Sequence, residues 1–280
     1  MGRRRKRLTI TLRGDLLSKV DDLVDGASIR NRSHAIEFLL DQTLLPAVSQ
    51  AVILAGGAGA ELRPLTYEVP KPLIPVKGKP ILEHTIELLK KYKIRDLILA
   101  IGHLGGKIRD HFGDGKRLGV KIRYSREEKP LGTAGALKLA RKYLEEAPFL
   151  VIHGDVLTKL DLGDLLSFHQ SHGGVATMAL AVVKELSGVE AVSLDGYKIK
   201  KFFRTPGDKK LKTGLVNAGI YVFQPEIFKF IPRFRLRMLE DIFPNLAKKG
   251  KLFGYPFSEP WYDVSTPESY EKVIKVWKKR

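Results

Sequence analysis

The stretch "AVILAGGAGAELRPL", residues 51–65, decides the fold. Ala51, Val52, Ile53 and Leu54 form an unbroken apolar run, the pattern of a parallel strand buried on both faces. Gly56, Gly57 and Gly59 follow, and glycines let bare backbone N–H groups approach an anion. A dinucleotide-binding loop would open a helix at once, but Pro64 and Pro70 forbid that here. A P-loop would close on Gly-Lys-Ser or Gly-Lys-Thr, and neither follows. The loop therefore reads as a phosphate cradle of another kind. Glu61 then sets a negative charge beside it.

Outward from this loop, strands and helices alternate. Apolar runs at 51–55, 96–101, 120–124 and 149–153 read as strands, with amphipathic helices over 81–92, 133–145 and 161–172. That is the rhythm of an α/β, doubly wound mixed sheet. Strands at 175–183 and 215–223 bracket "GVEAVSLDGYKIKKFF", which reads as an irregular insertion. The helix in "TPESYEKVIKVWKKR" closes the chain. His169 and His172, three apart on a helix with no third ligand in view, read as a surface pair.

The first fifty residues form a separate unit. Leu8, Ile10 and Leu12 alternate with Arg7, Thr9, Thr11 and Arg13, the period of a strand. Leu16, Leu17, Val20, Leu23 and Val24 repeat at helical spacing, with Gly26 as the stop. Ser33 reads as the N-cap of a second helix carrying Ala35, Ile36, Leu39, Leu40 and Leu44, ended by Pro46. One strand and two short helices cannot bury a core alone. A two-fold dimer that pairs the strands is the economical solution, predicting a homodimer through residues 1–45. "LLPAVSQ" is the linker, so the domains are expected at 1–46 and 51–280.

Composition bounds the partners. The chain has 280 residues, 44% hydrophobic and 29% charged, which is globular. It has no cysteine, so no thiolate metal site or disulfide exists; a reducing, cytoplasmic setting fits. No stretch reads as a membrane span. Lys plus Arg number 49 against 31 Asp plus Glu, a formal charge of +18 spread over both halves. Anionic partners are expected, whether nucleic acid, nucleotide or phosphosugar.

Residues 6–45 resemble the ribbon-helix-helix repressors. The resemblance implies that Thr9, Thr11 and Arg13 face base edges in double-stranded DNA, while Arg32 and Ser33 hold a backbone phosphate. A dimerisation module without DNA is the alternative.

Residues 51–280 resemble the sugar-1-phosphate nucleotidyltransferases. The likeness rests on "LAGGAGAELRPLTYEVPKPLIPV", "PLGTAGAL" (130–137), "HGD" (153–155), "VNAGIYVF" (216–223) and "WYDVSTPESY" (261–270), in the family's order and spacing. It implies a Rossmann-like nucleotidyltransferase fold and transfer of a nucleotidyl group from a nucleoside triphosphate to a sugar 1-phosphate. Asp155 and Asp263 would hold Mg²⁺, and Lys71 would neutralise the reacting phosphates. Leu54, Ala55, Gly56, Gly57 and Gly59 would hold the nucleotide, with Gly132 and Thr133 beside base and ribose. Asn217 and Gly219 would face the sugar. Glu127, five residues before Gly132, is acceptor-only when ionised and suits the two adjacent donors of guanine, so GTP with mannose 1-phosphate is expected.

The chain departs from the family at two places. Ala60 and Glu61 stand where the family has Thr and Arg. Arg204 and Thr205 replace a Glu–Lys pair that holds the sugar phosphate. Arg63, two residues on, and Arg204 are the cations available to offset Glu61. Two functions stay open: a working Mg²⁺-dependent transferase, or a DNA-binding regulator whose degenerate transferase domain senses a nucleotide or nucleotide sugar.

Overall fold

The computed structural model describes residues 8–26, 29–44, 48–184, 190–204, 213–232 and 236–277. The chain divides into two compact units, Met1–Pro46 and Ala47–Arg280.

In the small unit the two expected helices form, α1 (Gly14–Asp21) and α2 (Arg32–Leu44), but the expected strand does not. Residues 8–13 carry no regular structure: a strand needs a hydrogen-bonded neighbour, and none lies there among the described residues. Helix α1 stops before Leu23, earlier than its apolar spacing implies. The second helix is capped by Asn31, whose Oδ1 accepts the N–H of His34 at 3.0 Å; Ser33, expected as the cap, lies inside the helix. Arg32 forks onto Asp21 at 2.6 and 2.8 Å, tying α2 to α1. Arg13 pairs with Asp15 at 3.1 Å. Pattern alone gives such arginines to a phosphate or a base; in this chain each has found an acid close by.

The large unit runs β1 (Gln50–Ala55), α3 (Leu65–Glu68), β2 (Pro75–Val76), β3 (Lys79–Pro80), α4 (Ile81–Lys91), β4 (Asp96–Ile101), α5 (Gly105–Phe112) and β5 (Lys121–Arg126). It continues with α6 (Gly132–Ala140), β6 (Phe149–His153), β7 (Val156–Thr158), α7 (Leu162–His172), β8 (Ala176–Val183), β9 (Glu190–Asp195), β10 (Lys198–Arg204) and β11 (Gly214–Phe223). Helix α8 (Phe243–Lys248), β12 (Leu252–Phe257), β13 (Trp261–Asp263) and α9 (Pro267–Val276) complete it.

Nine strands form one mixed sheet in the order β5-β4-β1-β6-β11-β8-β12-β10-β9. Strands β5, β4, β1 and β6 are parallel. The chain moves outward from β1 to β4 and β5, then returns to place β6 on the other side of β1. That reversal opens a crevice at the carboxyl ends of β1 and β6, where ligands of open α/β sheets bind. Both faces of the sheet are buried, as the apolar β1 run predicts. Ala51 and Ile53 pack with Leu82, Ile86 and Leu89 of α4 on one face. Val52 packs with Ala134 and Leu137 of α6 and with Phe243 of α8 on the other.

Within "GVEAVSLDGYKIKKFF", the described residues from Glu190 onward are not irregular. They fold as the β9–β10 hairpin, with Asp195 opposite Lys198 and Gly196 at φ +56° in the two-residue turn. Aspartate followed by glycine between alternating residues is a hairpin signal. His169 is no surface residue either. It is 3% exposed, with Nδ1 bonded to Thr177 Oγ1 at 2.8 Å and Nε2 to Gln224 at 3.1 Å. It continues the apolar stripe of Leu162 and Leu165 on α7, and burial lowers its pKa to about 4.

Candidate active site

At the end of β1 the chain passes through Gly56 against the tip of β4 and the Glu127 side chain. A Cβ on Gly56 would sit 2.9 Å from Glu127 Oε1 and 3.2 Å from the Gly102 nitrogen, so the loop is packed closely against the carboxylate and the tip of β4. After Gly59 a 3₁₀ turn, Ala60–Leu62, buries Leu62 and leaves Glu61 exposed. The small cluster that holds Leu62 also holds Ile74, Val76, Val264 and Trp277, so the loop after β1 and the segment after β13 share one anchor.

Lys71 is held by a 3₁₀ turn, Lys71–Leu73, between Pro70 and Pro72. Its ammonium donates to Asp155 Oδ2 at 2.5 Å and to Ser265 Oγ at 3.2 Å. The Ser265 hydroxyl in turn donates to Asp263. Asp155 follows β6, and the β7–β13 ribbon sets Asp263 opposite Val156, with Val264 N–H on the Asp155 carbonyl at 3.0 Å. Two carboxylates more than a hundred residues apart thus share one lysine–serine bridge. Burial, then the Asp155 charge, raises the pKa of Asp263 above the ordinary carboxylate value. Two crowded carboxylates of this kind suit a hard divalent cation.

A cavity of about 960 Å³ opens between these groups and α6. Leu54, Ala55, Gly56 and Gly57 form one wall, Lys71 and Asp155 one end, and Glu127, Gly132 and Thr133 the other wall. Glu127 Oε2 accepts the N–H of Leu131 at 3.1 Å. Burial raises its pKa, and that hydrogen bond opposes the rise. Gly132 has φ +73°, and a Cβ there would meet the Arg237 carbonyl oxygen at 2.4 Å. That carbonyl accepts the N–H groups of Ala134 and Gly135, and the Leu239 N–H donates to Thr133 Oγ1 at 2.7 Å. A strap around Arg237–Leu239 therefore closes the start of α6 and sets Met238 on the cavity wall.

The other expected site residues lie off this wall. Gly59 packs on Thr66 and Lys71. Arg63 is exposed and lies over the Tyr67 ring at 5.1 Å. Asn217 turns its amide inward, donating to Tyr221 OH at 2.8 Å and accepting the Gly219 N–H at 3.0 Å across a bulge of β11. The backbone of Arg204 pairs opposite Glu190 at the end of β10, while Thr205 lies outside the described residues. Among the lining residues, His103, Arg126, Lys129, His153 and Met238 went unread in the sequence. His103 and Arg126 end or follow parallel strands, which is signal enough; Met238 arrives from a segment without periodicity.

A strand–glycine-loop crevice with two carboxylates and a lysine at one end defines a nucleotide-handling α/β protein. The family model for nucleotidyl transferases matches residues 50–280, and the chain belongs to that family. It is 38% identical over 226 residues to the mannose-1-phosphate guanylyltransferase catalytic subunit beta of Danio rerio, covering 79% of this chain and 62% of that protein. The protein of the same name from Dictyostelium discoideum is 36% identical over 229 residues, covering 79% and 62%. The chain thus spans less than two thirds of the length of these curated relatives. Among solved structures, HddC from Yersinia pseudotuberculosis complexed with GMP-PN superposes with a TM-score of 0.69 at 25% identity, covering 82% of this chain and 100% of that one.

Proposed function

We propose that the chain transfers a guanylyl group from GTP to a sugar 1-phosphate, with mannose 1-phosphate as acceptor, releasing pyrophosphate. The observation that carries this reading is that Lys71 and Asp155 meet at one end of a cavity walled by the glycine loop and Glu127, with Asp263 joined to Lys71 through Ser265. The relatives named guanylyltransferases, and the neighbour holding GMP-PN, support the choice of base.

No group of three or more His, Cys, Asp or Glu able to hold a metal occurs among the described residues. Mg²⁺ would rest on Asp155 and Asp263 plus phosphate oxygens, and when bound it would supply neutralising charge at the α-phosphate. Lys71 neutralises the same phosphates and fixes Asp155. The backbone of Gly56 and Gly57 approaches the nucleotide, and Glu127 accepts the paired donors of guanine. Catalysis is then positioning and charge neutralisation. Glu61 is exposed and absent from the cavity wall, which supports an active enzyme over a sensor. Calorimetric titration of each nucleoside triphosphate in Mg²⁺ tests the base. GTP binds tightest, and Glu127→Gln abolishes that preference; tighter binding of UTP or dTTP overturns it.

For residues 1–46 we infer a ribbon-helix-helix domain that dimerises the chain and binds DNA. Leu8 and Ile10 are 79% and 48% exposed on a segment of strand-like pattern, which supports a second copy as the missing neighbour. Thr9, Thr11 and Arg13 would then face the major groove, and binding to duplex DNA would fall steeply with salt. Absence of duplex binding at low salt leaves dimerisation alone. No helix among the described residues is long and apolar enough to cross a membrane.

A further inference from the structure

The cavity opens at the carboxyl ends of the parallel strands. At their opposite ends the starts of β1, β4 and β5 fall in one row, Gln50 beside Asp96 and Asp96 beside Lys121. The turns that feed this row are basic. The Lys121 N–H donates to the Arg95 carbonyl at 2.8 Å, and at the end of α4 the Lys93 N–H donates to the Lys90 carbonyl at 3.0 Å. The Lys90 ammonium donates to the Leu118 carbonyl at 2.9 Å, which ties α4 to the 3₁₀ turn Lys116–Leu118 and so to Arg117. Lys90, Lys93, Arg95, Arg117 and Lys121 are all exposed, and none forms an ion pair among the described residues. The acids close by are spent. Asp96 holds the Arg123 guanidinium at 2.7 and 2.8 Å and the Gln50 amide at 2.9 Å. Asp114 pairs with Lys116 at 2.9 Å. Glu145, whose N–H donates to Gln50 Oε1 at 2.8 Å, is the acid here that no ion pair among the described residues holds.

Lysine on an edge strand keeps other chains from pairing with it, and that accounts for Lys121 on β5. It does not account for Lys93, Arg95 and Arg117, which sit in turns. Like charges on neighbouring strands about 4.8 Å apart repel one another, and a ligand with regularly spaced negative charge removes that cost. None of the exposed large apolar side chains among the described residues falls within 90–95, 114–123 or 141–146, so this end offers a lipid surface nothing to insert. We propose that it is a docking face for the phosphate backbone of duplex DNA, held without regard to base sequence. Every residue in the face belongs to the large unit, so it goes beyond the DNA contacts inferred for residues 1–46. Strand β1 starts at Gln50, and the connection to residues 1–46 therefore leaves from this same end. The choice of DNA rests on the reading of those residues.

Fluorescence anisotropy of a labelled mixed-sequence duplex of about 25 base pairs, titrated with the full chain between about 50 and 200 mM salt, tests the face. Combining Lys93→Gln, Arg95→Gln and Lys121→Gln weakens binding roughly 10- to 100-fold at the lower salt. It also makes the slope of log affinity against log salt shallower by about 2 to 3, the share of three phosphate contacts. The same loss of charge at Lys77, in the β2–β3 turn, and at Lys272 and Lys275 of α9, all exposed, changes affinity less than about threefold. Both triple variants melt within about 2 °C of wild type, as exposed substitutions do. Unchanged affinity in the first variant, with wild type binding the duplex, overturns the face and leaves the DNA reading of residues 1–46 standing. Equal losses in the two variants point to net charge rather than a face, and overturn it too. So does tighter binding of the wild type to vesicles of anionic phospholipid than to the duplex. Absence of duplex binding by wild type at the lower salt overturns both the face and that reading.

Discussion

The two units solve the same problem in opposite ways. The large unit closes its apolar runs on themselves: the parallel strands β4, β1 and β6 pack buried side chains on both faces, and Val52, Ile53, Ile98 and Val151 are fully buried. The small unit has the same alternation and helical stripes in its sequence, yet Val20 and Ala35 are its only buried apolar side chains among the described residues. Hydrophobic pattern specifies which side chains seek cover, not whether one chain supplies it. Where a polypeptide of this length returns to its own sheet, pattern becomes core. Where it does not, pattern becomes exposed leucine and isoleucine.

If the large unit is self-sufficient, its weak points lie at close approaches rather than in missing partners. Gly132→Ala tests this with the largest expected effect. The substitution combines φ +73° with a contact of 2.4 Å to the Arg237 oxygen, so it must push away the strap that caps α6. A loss of about 3 kcal/mol or more is expected in urea unfolding, with GTP affinity falling alongside. A loss below about 1 kcal/mol would mean that the strap and α6 move apart freely.

His169 sharpens the same contrast through pH. Its folded pKa is about 4 against an ordinary value of 6.5, and burial is the cause. Between those values the unfolded chain binds the extra proton. Stability is therefore complete above about pH 6.5, falls as pH drops through that window, and levels off below about 4. The full span is at most about 3 kcal/mol. His169→Gln flattens this part of the profile, although it also costs the bond to Thr177. A wild-type profile that is already flat between pH 4.5 and 6.5 would contradict the buried, neutral imidazole.

These residues also mark what the sequence makes readable. The β1 run, the glycine loop and the helices at 81–92 and 161–172 come through because local period and burial agree. The carboxylate pair is found only by resemblance, since nothing local joins Asp155 to Asp263; the β7–β13 ribbon does so over a long separation. The strap at Arg237–Leu239 leaves no periodic trace, as its bonds are to the backbone of another segment. The burial of His169 is readable after all, because its place follows Leu162 and Leu165 on one helical face; the residue type distracts from its phase. Asn217 shows the reverse failure. A motif places it near the sugar, while its amide is spent on a bulge that no motif describes.

The smallest expected effect falls on the large unit when the small one is removed. Residues from Ala47 onward contain the whole nine-stranded sheet, both of its packed faces and the Lys71–Asp155–Asp263 cluster. A chain shortened to residues 47–280 is therefore expected to melt within about 2 °C of the large-unit transition in the full protein, a shift corresponding to no more than about 1 kcal/mol. Its KM for GTP is expected to stay the same. Light scattering should change instead: the full chain scatters as a dimer and the shortened one as a monomer. The exposed Leu8 and Ile10 supply the reason, since a two-fold partner is the simplest cover for a lone strand-like segment. A shortened chain that stays dimeric would move the contact to the large unit. One that melts far below the full protein would end the contrast altogether, because the large unit would then lean on residues outside its own core.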